Sequence, residues 1–320
     1  MVLLAEQNVP NSQCPLCAGQ MSFLFAALDH QRPEAPEKWT IVWCARCRYG
    51  KLAARLTADD VSRFYAFDYY THSRHPDTRN SGPCKGLPAR LRLHLAWLFD
   101  NGRELSPSEA GPPGRLCDIG CGNGRNMRMF RDAGFAVTGV EPDPQARRIA
   151  SEFGTVYQGA AESLPQEIGC DYDYALLSHV LEHTLSPVDA LRQVRRILKR
   201  GGKVIIEVPN CDALGFRVFG ATWPCTCWDV PRHIHFFTKR SLDLTLAQAG
   251  FRRGRVYYMC YTRQFSDEWL ERMQLMATRL RGTRSSRAGY DLAAWWLLAR
   301  TLLAPAALKY DCVRVHAIAV

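Results

Sequence analysis

The middle of the chain alternates short, almost wholly apolar runs with stretches whose apolar residues recur every three or four positions. LCDIG (116–120), FAVTGVE (135–141), YALLSHV (174–180) and KVIIEV (203–208) are of the first kind, as expected for strands buried on both faces. Leu191, Val194, Ile197 and Leu198 keep the spacing of a buried helix face. This alternation predicts a parallel sheet covered by helices on both faces. VYYMCY (256–261) and DCVRVHAIAV (311–320) read as two further strands, with a helix over SLDLTLAQAGF (241–251) leading into the first. Near the start, MSFLFAAL (21–28) and WTIVWC (39–44) read as the strands of a hairpin.

The run LCDIGCGNGRNM (116–127) couples a strand ending in Asp118 to a turn with Gly120, Gly122 and Gly124, followed by a helix. Glycines there let the backbone turn sharply and clear the way for a ligand at the carboxyl end of the strand. A dinucleotide G-x-G-x-x-G pattern would need glycine where Arg125 stands. The next strand ends in Glu141, about 20 residues on, where doubly wound folds grip a ribose diol. Asp143 can cap the helix that follows, with Pro144 at its first position.

In order along the chain, this glycine turn, the acid Glu141 and the YDYALLSHVLEH block (172–183) resemble class I S-adenosylmethionine (SAM) methyltransferases over about residues 112–255. The resemblance implies an α/β, Rossmann-like seven-stranded sheet. It implies that Asp118, Gly120, Gly122 and Gly124 hold the methionyl part of SAM and that Glu141, with Pro142, holds the ribose. Ser178 and His179 would border the methyl group. One departure concerns GAAESLP (159–165): Ala160 stands where relatives often carry an adenine-contacting Asp, so Glu162 or backbone groups are expected to take that place.

Cys14-Pro-Leu-Cys17 and Cys44-Ala-Arg-Cys47 form two C-x-x-C knuckles. Four thiolates suit one tetrahedral, structural Zn²⁺ with no open coordination position. A small zinc ribbon over residues 1–56 is expected, then an aromatic linker or lid over 57–88, then the methyltransferase domain over 89–320. Thr57 and Asp60 can form a capping box, and Phe64, Tyr65, Phe67, Tyr69 and Tyr70 crowd the stretch that follows. They are read as packing the ribbon against the larger domain, or as a wall over the cofactor.

TWPCTCWDVPRHIHFFT (222–238) is similar to a block of bacterial small-molecule methyltransferases, some with an amino-terminal zinc ribbon. Histidine suits removal of a proton from a hydroxyl acceptor near neutral pH. His235 is the favoured base, then His233, with His179 a third candidate. Arg232 is read as a contact for an anionic substrate group or as an ion-pair partner.

Residues 260–309 read as a helical insertion, with Ser266 capping a first helix and an apolar second one interrupted by Arg300 and Pro305. That second stretch is short for a membrane span. The chain carries a formal net charge of +10 over 320 residues. From Arg252 onward twelve Lys/Arg face five Asp/Glu, a surplus of seven, which favours anionic lipid or a phosphorylated substrate. Its first residues, MVLLAEQNVP, do not read as a signal peptide, so a cytoplasmic protein is expected, with peripheral contact to anionic membrane. The function expected is methyl transfer from SAM to a small acceptor (a sugar, quinone precursor or lipid-linked metabolite), mainly to oxygen. Two alternatives stay open: an RNA methyltransferase docked by the zinc ribbon, and a non-catalytic SAM- or zinc-binding module.

Overall fold

The computed structural model describes residues 12–35, 37–65, 86–283 and 286–320. Phe67, Tyr69 and Tyr70 of the aromatic stretch lie outside them. Strands β1 (Ser22–Leu28), β2 (Lys38–Cys44) and β3 (Tyr49–Leu52) come first, followed by α1 (Ala58–Phe64) and α2 (Leu87–Leu98). Then come α3 (Pro107–Ala110), β4 (Arg115–Ile119), α4 (Arg125–Asp132), β5 (Ala136–Val140), α5 (Pro144–Ala150), β6 (Thr155–Tyr157) and β7 (Tyr172–Ser178). They are followed by α6 (Pro187–Ile197), β8 (Leu198–Pro209), α7 (Leu214–Phe219), α8 (Pro224–Cys227), β9 (His235–Phe236), α9 (Lys239–Gln248) and β10 (Phe251–Met259). Last are α10 (Asp267–Arg281), α11 (Arg287–Thr301), α12 (Ala306–Lys309) and β11 (Cys312–Ala319).

Seven strands form one sheet in the order β10-β11-β8-β7-β4-β5-β6. The pairs within β6-β5-β4-β7-β8 are parallel, and β11 runs antiparallel to both neighbours. The apolar runs of the sequence are its centre: Val204, Ile205, Ile206 and Val208 are fully buried, with Leu191, Val194 and Ile197 of α6 covering Val204, Ile206 and Val208 and Ile205 packed on the other face with Phe130. The chain moves outward from β4 to β6 and returns on the other side at β7. That reversal opens a crevice at the carboxyl ends of β4 and β7, the place where open α/β sheets bind ligands.

Capping follows the sequence. Thr57 and Asp60 make the reciprocal capping box of α1, Asp143 accepts from the Ala146 N–H with Pro144 at the helix start, and Ser266 caps α10. One boundary differs from the periodicity. The helix at 187 stops at Ile197, ahead of the Gly201-Gly202 pair, because Leu198 already pairs with Tyr172 across the sheet.

The second sheet has the order β1-β2-β3-β9, so the ribbon takes its fourth strand from the RHIHFF segment. Gly50 faces Phe236 in that pairing. A Cβ on Gly50 would lie 2.9 Å from the Trp43 ring and 3.0 Å from Phe236 Cβ, so the junction needs a residue without one. Beside it, Arg232 pairs with Asp29 at 2.8 Å, both side chains 0% exposed. Arg232 is therefore an internal tie between the ribbon and the larger sheet rather than a substrate contact. Removing one partner of such a pair costs about 3–5 kcal/mol.

Candidate active site

The crevice is one open cleft of 2020 Å³, running from the glycine turn past Glu141, Pro142 and Glu162 to Ser178, His179, His183 and His233. Gly120 and Gly124 adopt left-handed φ values of 68° and 80°. A Cβ on Gly120 would also meet Val180 at 2.6 Å, and one on Gly124 would meet the α5 backbone at 2.8 Å. These glycines thus seat the turn against its neighbours as well as bending it. Glu141 is buried, and its two carboxylate oxygens accept the Gly122 and Asp143 N–H groups at 2.9 and 3.0 Å. Each oxygen keeps a second lone pair, so the carboxylate is oriented and can still accept a diol. Asp118 lies beneath the turn, fully buried, and its Oδ2 has no partner among the described residues. Burial, and then the charge of Glu141, push its pKa up to about 8. An orphaned, buried carboxylate oxygen beneath the glycine turn fits a cationic or N–H-bearing ligand group. Glu162 accepts the Leu185 N–H at the other wall.

His179 sits at the end of β7 with φ 56°, a strained value for a non-glycine residue. Its N–H donates to the Glu207 carbonyl at 2.8 Å. Its ring bridges two carboxylates, Glu182 at 3.1 Å and Glu207 at 3.2 Å. Burial opposes its charge, but hydrogen bonds with Cys312, Glu182 and Glu207 outweigh that and raise its pKa well above the usual value. Arg314 completes the network by donating to Glu207 at 2.9 Å and Glu109 at 2.8 Å.

The three expected histidines do not gather at one point. His179 and His233 line the cleft; His235 does not. Its Nε2 meets the Thr184 carbonyl at 2.8 Å and its Nδ1 meets the Tyr49 hydroxyl. With both nitrogens engaged, and burial pushing its pKa down to about 3, His235 ties β9 to the ribbon and to the loop after β7. His233 points its Nδ1 at the Thr226 carbonyl, 2.7 Å away. A carbonyl only accepts, so Nδ1 is the donor in this contact.

His183 and Glu182 received no role from the sequence, although both stand in the Leu-Glu-His run quoted there. The ring of His183 stacks edge-on to His233, and burial and then His233 push its pKa down to about 4. Tyr65 extends from α1 to meet His183 Nδ1 at 2.9 Å, whereas Phe64 packs on Trp39 of the ribbon. Of these two adjacent aromatics, Tyr65 thus lines the cleft and Phe64 faces the ribbon. Trp228, Trp269, Arg263 and Arg272 form the outer wall. Arg263 lies over Trp269 and Arg272 over Trp228, at 5.4 and 5.1 Å.

Away from the cleft, ligand atoms of Cys14, Cys17, Cys44 and Cys47 lie within 4.8 Å of one another. Ala18 and Arg48, each directly after a knuckle's second cysteine, share φ values of 56° and 54°. Two like turns presenting two sulfurs each is the arrangement a tetrahedral Zn²⁺ requires. Cys225 and Cys227 go elsewhere: Cys225 lies 3.7 Å from Cys312, and Cys227 contacts Thr226 and Gly220. Among the described residues no helix is long and apolar enough to cross a membrane.

The family profile described as "Methyltransferase domain" matches residues 91–253. A tRNA U34 carboxymethyltransferase of Pseudomonas aeruginosa is 31% identical over 196 residues, 56% of this chain and 59% of that protein. The ubiquinone biosynthesis O-methyltransferase of Bordetella avium is 29% identical over 177 residues, 52% of this chain and 71% of that protein. A solved SAM-dependent methyltransferase from Archaeoglobus fulgidus is 18% identical with a TM-score of 0.45, covering 73% of this chain and 95% of that one. The chain thus spans 59% of the length of the Pseudomonas relative.

Proposed function

The chain belongs to the methyltransferase domain family, and on that premise we propose that it transfers the methyl group of SAM to an oxygen of a small, amphiphilic acceptor. The observation carrying this reading is the single cleft that joins Gly120, Gly122 and Glu141 to His233 and His183. Asp118 and the turn of Gly120, Gly122 and Gly124 hold the methionyl part. Glu141 and Pro142 hold the ribose, Glu162 flanks the adenine, and Ser178 and His179 border the methyl. The acceptor hydroxyl gives up its proton at the cluster of Glu182, His183 and His233. Its oxygen then forms a bond to the methyl carbon as the C–S bond breaks, and that electron pair stays on sulfur. The products are S-adenosylhomocysteine, the methyl ether and one proton. Alignment in such a cleft supplies several kcal/mol. His235 acts here as a positioning residue that holds the acceptor wall. The ribbon's four cysteines hold a structural Zn²⁺.

The outer wall favours the acceptor class. Two tryptophans paired with two arginines suit a flat or apolar body bearing an anionic group. Helix α2 and the insertion's α11 add a second expectation, contact with anionic bilayer: Leu87, Leu91 and Leu98 on α2 and Leu292 and Trp296 on α11 are exposed, with the exposed Arg90, Arg281 and Arg300 nearby in sequence. An RNA acceptor is the other reading, favoured by the name of the Pseudomonas relative.

The test is calorimetric titration of the zinc-replete protein with SAM and S-adenosylhomocysteine. Micromolar binding is expected, weakened about 10- to 100-fold by Asp118→Asn or Glu141→Ala, the loss of a hydrogen bond to a charged group. Transfer of labelled methyl to phenolic or sugar acceptors, and not to tRNA, supports the small-molecule reading; the reverse result replaces it with the RNA reading.

A further inference from the structure

We propose that Glu182, His183 and His233 form a binding site for a divalent transition-metal ion at the acceptor end of the cleft, distinct from the ribbon's cysteine site. One ligand atom from each of the three residues lies within 4.8 Å of the others. The donor set, two imidazoles and one carboxylate, suits Zn²⁺, Co²⁺ or Fe²⁺ more than Mg²⁺ or Ca²⁺.

The surroundings prepare the donors as they would for a metal. The His233 Nδ1–H is bound by the Thr226 carbonyl at 2.7 Å, which directs Nε2 toward Glu182, 4.0 Å from its Oε1. His183 is also held through Nδ1, which lies 3.0 Å from the Arg232 carbonyl and 2.9 Å from the Tyr65 hydroxyl. Histidines that ligate metals characteristically donate their other N–H to a carbonyl or carboxylate. Glu182 is oriented through Oε1 by His179 at 3.1 Å, while its buried Oε2 has no hydrogen-bond partner among the described residues. A carboxylate oxygen 0% exposed and unpartnered is costly unless something positive meets it. Both imidazoles line the cleft, so positions on the ion would remain for an acceptor oxygen.

The site's role in catalysis rests on the methyl-transfer reading, while its occupancy does not. With these three side chains engaged as ligands the acceptor's proton would go to solvent instead of to them: coordination lowers the pKa of a bound hydroxyl, so the acceptor would ionise near neutral pH before attacking the methyl carbon. Catalysis would then depend on the metal without the metal changing oxidation state.

The experiment uses the full chain purified with its ribbon zinc in place and titrated with Co²⁺, read by metal analysis and absorbance. A second equivalent of metal per chain is expected, with weak visible bands and no thiolate-to-cobalt charge transfer. Glu182→Gln and His233→Gln should each lose that equivalent while the cysteine-bound one and SAM affinity remain, which also shows that the variants are folded. A wild-type protein that takes up only the cysteine-bound metal at millimolar Co²⁺ overturns the proposal. So does a second equivalent that survives both substitutions. Because neither reading uses turnover, failure here leaves the SAM titration standing as the separate test of methyl transfer.

Discussion

Asp118 is where the chemistry of single residues is most exposed to test. It is fully buried, its Oδ2 is orphaned, and its pKa is raised from 3.8 to about 8 by burial first and by Glu141 second. A carboxyl whose pKa is higher in the folded than in the unfolded state binds its proton more tightly when folded. Its contribution to stability is therefore complete below about pH 4 and declines as pH rises toward 8. Unliganded protein should lose thermal stability across that window. SAM brings an ammonium and a sulfonium, which favour the ionised carboxylate. Its affinity should rise with pH, by up to tenfold per unit, until about pH 8, and its presence should flatten the stability slope. Calorimetry from pH 6 to 8.5 checks both signs, and Asp118→Asn should remove the pH dependence of each. An affinity that is flat across the window in the wild type would mean that Asp118 is already ionised or does not meet the cofactor.

Elements tie the two sheets together, and here the ribbon has a use that its sequence does not announce. Strand β9 belongs to the acceptor block by sequence and to the ribbon by hydrogen bonding, through Gly50–Phe236 and Lys51–His235. Arg232–Asp29 and Tyr49–His235 reinforce the seam. The acceptor wall is thus held from the ribbon side, while Asp118 and Glu141 are held by β4 and β5 of the other sheet. Loss of the ribbon metal should separate these two parts. Cys44→Ser, or treatment with a strong chelator, should lower Tm by roughly 10 °C, since about 3 kcal/mol corresponds to several degrees in a domain of this size. Acceptor turnover should fall more than tenfold, with SAM affinity within about twofold of wild type. Equal loss of SAM binding would show that the ribbon supports the whole fold rather than one wall. The two knuckles and the hairpin were legible in the sequence because cysteine spacing and strand periodicity are local. The β3–β9 pairing was not, because it joins segments about 185 residues apart, and two-residue strands leave no periodicity.

For the molecule as a whole, legibility divides in the same way. The helix-covered parallel sheet followed from alternation and its count of seven strands from the family resemblance, while the glycine turn and Glu141 stood out by spacing, a local pattern. The acceptor end was read less well. Of the histidines, His235 stood out by its neighbours Arg232 and Phe236 but proved to be a seam residue. His183 and Glu182 passed unassigned, because a partner such as the Thr226 carbonyl, which orients His233, is visible only in three dimensions. The surplus of positive charge toward the carboxyl end was equally ambiguous. Helices α2 and α11 pack together, and each exposes large apolar side chains, among them Leu91, Trp97, Leu292 and Trp296.

An exposed apolar set beside basic residues is what an interfacial protein needs: the apolar groups enter the headgroup boundary and the charges hold the anionic surface. Each Arg near such a surface contributes about 1 kcal/mol and is screened within a Debye length. RNA binding shares the salt dependence but not the need for apolar side chains. Co-sedimentation with vesicles separates them. Binding to phosphatidylserine-containing vesicles at low salt is expected, weak with pure phosphatidylcholine, and reduced about tenfold or more by Leu91→Glu with Leu292→Glu. Those two substitutions lie on solvent-facing helix positions and should leave Tm within a few degrees. If the double variant binds vesicles as well as the wild type, the apolar patch does not face lipid and the attraction is charge alone. If the wild type ignores anionic vesicles at low salt, the acceptor must reach the cleft through water.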